Sequence, residues 1–340
     1  LLPDLYTDWL RGNLLKKNEF AFENDSYQLI RSTEFEMESY GRHSISNHGI
    51  TVIPTIGENN YTGKYGFYSG LSEWYRPKRT TVTNYLGSHE LVEQTTHYYN
   101  SNPLMPSRTE VNSSKNGLVA KDYFYPFDVN TSGQVGTANP VALSSTALIA
   151  VNNLKTKHQI TVPVQVETNN GSGKTAVRNN FKLNGNIILP EIIQTSKSAE
   201  ILGDRVKYSR YDSKGNPLEV SRLDGPSVAY IWGYNQQFPV GKVENATYAQ
   251  IEALPNFGAG FNLNTGGLST AQETSLRSGL PNAMVTTYSY IPLVGIESIT
   301  DPKGYTITYE YDEFNRLKFV KDHDGNILSE NQYNYKLSSN

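Results

Sequence analysis

The stretch from Asp301 to Leu317 reads DPKGYTITYEYDEFNRL, which is a turn, an alternating run and a second turn. A related stretch, from Asp322 to Tyr335, reads DHDGNILSENQYNY. Asp301 and Asp322 are 21 residues apart, as are Gly304 and Gly325. A fixed period of about 20–50 residues is typical of repeat architectures, in which each unit buries its apolar face against its neighbours.

The residue types in this stretch predict antiparallel hairpins. Tyr, Thr and Ile at alternating positions favour a strand with one packed and one solvated face. Gly304, Gly325 and Asn315 stand where a tight turn needs a left-handed backbone, which Gly adopts freely and Asn tolerates. An Asp at the head of each turn can accept a hydrogen bond from the backbone two residues later. An earlier copy of the pattern, YSRYDSKGN, runs from Tyr208 to Asn216.

The segment Tyr311–Leu317 resembles the consensus Tyr-Asp-x-x-Gly-Arg-Leu of the RHS/YD-repeat family, with Asn315 in place of Gly. Tyr211–Asn216 is similar to its first half. Residues 230–235 (YIWGYN) and 243–248 (VENATY) resemble a subgroup from Bacteroidota. We predict that the repeat motif comprises Tyr211, Asp212, Gly215, Asp301, Gly304, Tyr311, Asp312, Asn315, Arg316, Leu317, Asp322 and Gly325.

The resemblance implies a mainly β fold, in which repeated hairpins form a spiralling sheet or a hollow shell with a few short helices. It also implies a function: a non-catalytic segment of a large secreted or cell-surface bacterial protein, serving as a scaffold or enclosing toxin cargo. The expected partners are further repeats of the same polypeptide or an associated secretion or surface complex. The alternative is a surface adhesin or a carbohydrate- or partner-binding module that uses exposed Tyr and Trp side chains.

Three regions are expected along the chain. Residues 1–130 are predicted to be degenerate hairpin repeats, with separate strands at 48–56, 62–76 and 78–86 among others. Residues 131–200 are predicted to be a helix-containing insertion, with a helix at 140–153 and strands that include 159–168. Residues 201–340 are predicted to be the YD-repeat region, with a helical insertion at about 246–284 whose helices cover 247–254 and 268–279. The first residues, Leu1-Leu2-Pro3, suggest a fragment of a longer chain.

The composition of the chain argues against several kinds of function and site. The net charge is −3, which offers no electrostatic case for nucleic-acid binding or an anionic membrane. The sequence has no Cys, so disulfides, thiolate metal sites and cysteine nucleophiles are excluded. No window approaches 18 apolar residues, so membrane insertion is not expected. The six histidines form no helical ligand pair, and neither a metal nor another cofactor is predicted.

Two apparent catalytic or nucleotide motifs are rejected. Residues 171–175 (GSGKT) imitate the end of a phosphate-binding loop, but position 168 is Thr and a strand rather than a helix is expected to follow. Asp301-Pro302-Lys303-Gly304 is similar to a piece of the aspartyl self-cleavage site of some RHS proteins. Because the second copy has no Pro, Asp301 is interpreted as a turn residue and no enzyme is predicted.

Two further clusters have a structural and a functional interpretation. Asp322, Asp324 and Asn326 faintly imitate a calcium loop, although an Asp/Asn turn is the favoured interpretation. An aromatic cluster could form a sugar-binding platform, but cross-strand pairing is favoured; its members are Tyr61, Tyr65, Tyr68, Trp74 and Tyr75.

Overall fold

A computed structural model describes residues 12–23, 25–54, 61–101, 104–113, 117–137, 141–197 and 201–334, with the backbone alone for 42–54 and 61–71. These residues form eighteen strands of one antiparallel sheet and three α-helices, which confirms the mainly β prediction. No helix within the described ranges is long and apolar enough to cross a membrane.

The first nine strands are β1 (Lys16–Glu23), β2 (Ser26–Pro54), β3 (Tyr61–Leu86), β4 (His89–Tyr99), β5 (Pro106–Ser113), β6 (Gly117–Phe124), β7 (Gln165–Asn169), β8 (Lys174–Asn184) and β9 (Ile187–Lys197). The other nine are β10 (Gly203–Tyr211), β11 (Pro217–Arg222), β12 (Ser227–Gly233), β13 (Phe238–Glu244), β14 (Met284–Ile291), β15 (Gly295–Thr300), β16 (Thr306–Tyr311), β17 (Leu317–Lys321) and β18 (Ile327–Glu330). The helices are α1 (Ser145–Thr156), α2 (Tyr248–Glu252) and α3 (Thr270–Gly279).

One compact unit contains residues 1–125, 165–176 and 197–199. In it β1 to β7 pair in chain order, each with the next. The separate strands predicted at 48–56, 62–76 and 78–86 were wrong, because β2 and β3 are long and continuous. Pro77, where a break was expected, lies within β3 opposite Met37, next to a register shift between Glu36 and Met37. A bulge accommodates a residue that has no N–H for the ladder, so the strand continues.

The other unit contains residues 126–164, 177–196 and 200–340. Strands β9 to β18 pair successively in it, so the chain folds as a meander of hairpins. Helices α2 and α3 lie between β13 and β14. The chain leaves the sheet after Glu244 and re-enters it at Met284, and these two residues face each other in the pairing of β13 with β14.

Side-chain caps determine where the helices begin. Helix α1 begins after Ser144, whose hydroxyl accepts from the Ala147 N–H, and not at the predicted Pro140, which lies outside the described residues. Thr247 and Ser269 form capping boxes with the glutamines three residues later, as their positions before apolar runs indicate. The helices predicted at 247–254 and 268–279 are therefore present, and each is slightly shorter.

The strand predicted at 159–168 was wrong in its first half. β7 begins only at Gln165, and residues 159–164 are irregular. His158 has a positive φ of 54°, and Pro163 has no N–H to donate to a neighbouring strand. These two local features interrupt the strand that the alternating Thr and Val residues of this segment predict.

The core of the second unit lies between the helical insertion and the sheet. Ala229 and Ile231 are fully buried on β12, Val240 and Val243 on β13, and Val285 is 2% exposed on β14. These side chains pack in one cluster with Ile251 of α2 and Leu276 of α3. The insertion therefore covers the apolar face of three strands that would otherwise be exposed to water.

Candidate functional site: repeated turns and an aromatic clamp

Four turns in the second unit have the same hydrogen bonds. Each begins with an aspartate whose Oδ1 accepts from the backbone N–H groups two and four residues later, at 2.8–3.0 Å. The aspartate N–H donates to the carbonyl four residues later, and its carbonyl accepts from the N–H three residues later. The four aspartates are Asp212, Asp301, Asp312 and Asp322. Repetition of one turn fixes one hairpin geometry along the sheet.

The fourth residue of each turn has a left-handed backbone. The φ angles are 91° at Gly215, 90° at Gly304, 60° at Asn315 and 84° at Gly325. Because a side chain costs about 1–2 kcal/mol in this region, Gly is preferred and Asn is the usual substitute. Asn315 is thus compatible with the turn despite its departure from the family consensus.

The turn at Asp312 has an additional ion pair. The Oδ2 atom of Asp312 accepts from Arg316 Nε at 2.7 Å and lies 2.6 Å from the second guanidinium nitrogen. Arg316 holds the pKa of Asp312 below its ordinary value. At Asp322, a hydrogen bond from the Asn326 side chain is the largest cause of a lowered pKa.

A second repeated feature, here called the aromatic clamp, closes the open end of successive hairpins. At the end of a strand, an aromatic N–H or O–H donates to a backbone carbonyl of the preceding strand, at 2.7–2.9 Å. The donors are Tyr99, Tyr125, Tyr211, Trp232, Tyr290, Tyr311 and Tyr333. Among the described residues, one donor lies in or just after every even-numbered strand except β2 and β8. The clamp therefore recurs once per hairpin, so the repeating structural unit is one hairpin.

Register shifts in the strand pairing lie beside most of the clamp side chains. A shift in pairing with the next strand lies immediately before five of the seven clamp aromatics. In all five cases the extra residue lies on that next strand, so regular pairing is interrupted opposite the clamp aromatic. These five are Tyr99, Tyr211, Trp232, Tyr290 and Tyr311.

The acceptors of the clamp are mostly proline carbonyls. Five of the seven belong to prolines, at 77, 106, 190, 217 and 239; the other two are Ile296 and Leu317. A proline takes no part in the ladder as a donor and so stands where pairing is interrupted. Sequence reasoning missed this feature. Its signal is a Pro followed 15–22 residues later by Tyr or Trp, as in Pro190–Tyr211 and Pro217–Trp232.

The clamp rings pack closely against neighbouring residues. A Cβ added to Gly295 would lie 2.3 Å from the Tyr311 hydroxyl oxygen, so only glycine fits there without movement. A tyrosine hydroxyl is a protonated donor at neutral pH, and burial raises the pKa of Tyr99, Tyr211, Tyr290 and Tyr311 further. Cations cover three of the rings, at 4.2 Å for Arg76 over Tyr99, 5.3 Å for Lys182 over Tyr211 and 4.2 Å for Arg316 over Tyr333.

The structure brings all the predicted motif residues to strand ends and turns. Tyr211 and Tyr311 are clamp donors, and the carbonyl of Leu317 is the acceptor for Tyr333. The Asp301 carboxylate accepts from the N–H groups of Lys303 and Tyr305. Asp322 bonds Asp324 N–H and both the N–H and the amide of Asn326.

The other predicted clusters are placed as follows. Residues 170–173 connect β7 to β8, and Lys174 begins a strand and not a helix, as expected when the phosphate-binding loop was rejected. Trp74 packs edge-on against Tyr99, and its ring lies 4.8 Å from the Arg76 guanidinium. The side chains of Tyr61, Tyr65 and Tyr68 lie outside the described residues. Within the described ranges, no three His, Asp or Glu side chains converge as metal ligands.

Comparison with known proteins identifies the repeat. Residues 296–327 match the model of the RHS Repeat family, which confirms the resemblance drawn from Tyr311–Leu317 within that segment. No curated protein matches the chain.

Among solved structures, a crystal structure of TcdB2-TccC3 shares 10% identity with a TM-score of 0.33, covering 92% of this chain and 17% of that one. The Photorhabdus luminescens Tc holotoxin pore shares 8% identity with a TM-score of 0.30, covering 93% of this chain and 20% of that one. The chain thus spans about a fifth of the length of these structures. Similarity at this level leaves the fold to be judged from the strand pairing itself.

Proposed function

We propose that the chain is a non-catalytic structural segment of a large secreted or cell-surface bacterial RHS/YD-repeat protein, of the Bacteroidota type. The observation that carries the proposal is the repeated hairpin itself, with an Asp turn at one position and an aromatic clamp at another. These polar groups are engaged in backbone hydrogen bonds, which suits them to hold a wall together rather than to act on a substrate.

The exposed strand edges support a continuing sheet. Strand β18 pairs with β17 and, among the described residues, with no other strand. All four of its residues are exposed, including the apolar Ile327 and Leu328. Strand β1 likewise pairs with β2 alone in the described part of the chain. Since exposed edges are templates for further pairing, more repeats of the same polypeptide are the proposed neighbours.

We extend the proposal to the enclosure of cargo, such as a C-terminal toxin segment, in a shell to which this chain contributes wall. Single-particle electron microscopy of the native full-length protein, with intact mass spectrometry of the same sample, tests it. The expected result is a hollow β-walled particle in which the strand order β9 to β18 continues into neighbouring hairpins. A solid domain in which the outer edges of β1 and β18 remain uncovered would contradict the proposal.

A further inference from the structure

A cleft in the second unit lies between the sheet and the helical insertion. Its volume is about 280 Å³. Tyr211 and Asp212 contribute to it from the end of β10, and Tyr248, Glu252 and Phe261 from α2 and the loop that follows. Since pockets for drug-sized ligands measure about 300–1,000 Å³, this cleft has room for a compact molecule of about one ring.

Tyr248 has a polar group that the fold does not use. Its side chain is 4% exposed, its ring stacks on Phe261 with centroids 5.6 Å apart, and the Arg210 guanidinium lies 4.8 Å from its centroid. Its hydroxyl has no hydrogen-bond partner among the described residues, although the clamp aromatics all have one. Burial, followed by the charge of Glu252, raises the pKa of this hydroxyl to about 12, so it is a protonated donor.

The charges around the cleft compensate one another. Arg210 donates two hydrogen bonds to Glu252, at 2.8 and 3.1 Å, and Glu252 also accepts from the Gly260 N–H at 3.0 Å. These interactions hold the pKa of Glu252 below its ordinary value. Asp212 is engaged by its own turn. A charged ligand would therefore compete with bonds already formed, whereas a neutral one would not.

We propose that this cleft binds a single neutral polyhydroxyl ring, such as one sugar residue. Trp232 and Phe261 provide half-buried apolar surface for the C–H face of such a ring. The Tyr248 hydroxyl and the remaining N–H groups of Arg210 provide hydrogen bonds to hydroxyls, which both donate and accept. The site is independent of the scaffold role, because a wall segment can hold it or lack it.

Titration of the ¹⁵N-labelled chain with four methyl glycosides tests the proposal: glucoside, galactoside, mannoside and N-acetylglucosaminide. The chain has three tryptophans, and the Trp232 indole signal, assigned with the variant Trp232→Tyr, reports on the cleft. We expect a saturable shift with at least one glycoside and a Kd of about 1 mM. The absence of a saturable shift with all four at about 50 mM would overturn the proposal.

The variant Tyr248→Phe removes only the unpartnered hydroxyl. We expect it to weaken binding about 5-fold, equivalent to about 1 kcal/mol, with an unchanged or higher Tm. The control Tyr305→Phe, at an exposed tyrosine outside the cleft lining, should bind like the parent. Equal binding by Tyr248→Phe and the parent would place the sugar elsewhere and overturn the assignment. A trisaccharide of the sugar that binds distinguishes two sources of the ligand. If the trisaccharide binds, the ligand is the end of a glycan chain; if it does not bind, the ligand is a free sugar.

Discussion

At the residue scale, the clamp hydroxyl is the smallest group on which the hairpin repeat depends. Tyr311 lies at the end of β16, and its hydroxyl donates to the Ile296 carbonyl at 2.8 Å on β15. Gly295 leaves the space that the ring occupies. In this YD motif the Tyr side chain therefore joins β16 to β15, and the Asp immediately after it forms the turn from β16 to β17.

Removal of one clamp hydroxyl should be measurable. We expect Tyr311→Phe to lower the free energy of unfolding by about 1 kcal/mol, because the Ile296 carbonyl loses its donor. Urea unfolding followed by circular dichroism measures the change. The control is Tyr309→Phe, two residues away, where we expect a change within about 0.5 kcal/mol.

Gly295→Ala adds a test of geometry at the same clamp. The added methyl meets the Tyr311 hydroxyl, so we expect Gly295→Ala to be less destabilising in the Tyr311→Phe background than alone. Additive effects in this double-mutant cycle would show that the Tyr311 hydroxyl does not occupy the space at Gly295.

Acid should weaken the Asp turns. In the folded chain the pKa of Asp312 is held below its ordinary value by Arg316, and that of Asp322 by Asn326. As pH falls below about 4, the unfolded carboxylates take up protons first, so the stabilisation present above that pH is lost as pH falls through the lower folded pKa. We expect Asp312→Asn to reduce the acid-induced fall in the urea midpoint. An unchanged acid response, equal to that of the control Asp224→Asn, would contradict it.

At the element scale, polar side chains attach the helical insertion to the hairpins. On α3, Arg277 donates to the Asp301 carbonyl at 2.9 Å and the Val285 carbonyl at 3.2 Å, and it pairs with Glu273. Glu273 in turn accepts from the Thr287 hydroxyl at 2.7 Å. The charged helix face thus contacts the strand β14 and the DPKG turn, while Leu276 enters the core.

The contacts of Arg277 should stabilise the docking of α3. We expect Arg277→Ala to cost about 2 kcal/mol, because charge-assisted bonds to two carbonyls are lost. Hydrogen exchange of the α3 amides should accelerate more than that of β16. Lys303→Ala, in the same turn and exposed, is the matched control. Equal exchange in the two variants would show that the apolar contacts alone hold the helix.

At the scale of the whole molecule, the exposed edge of β18 is the main liability of the isolated chain. Its apolar residues Ile327 and Leu328 are 55% and 59% exposed. Among the described residues no further strand covers this edge, and an uncovered edge favours association with another edge.

We therefore expect concentration-dependent self-association of the isolated chain, and we expect Leu328→Lys to reduce it. Sedimentation velocity over a concentration series measures the effect. Leu293→Lys is the control, because Leu293 is fully exposed on the turn between β14 and β15 and not on the edge. Equal association of the two variants would exclude the β18 edge as the contact.

Local rules were sufficient for some elements and not for others. The Asp turns, the left-handed Gly and Asn residues and the capped helices α2 and α3 follow from interactions within a few residues. The continuity of β3 through Pro77 could not be predicted, because it depends on pairing with β2, whose facing residue Met37 is distant in sequence. The strand predicted at 159–168 failed for the converse reason: alternation indicated a strand where local breaks prevented one.

The sequence by itself determined the mainly β class, the hairpin period and the turn residues, because these depend on backbone preferences of single residues and their near neighbours. Only the tertiary structure decided which strands pair, how the insertion covers β12 to β14, and that Tyr and Trp side chains close hairpins on proline carbonyls. Each clamp contact joins residues 15 or more apart in the chain, as in Trp232 with Pro217. Such contacts form only when the register between strands is set, which no single segment specifies.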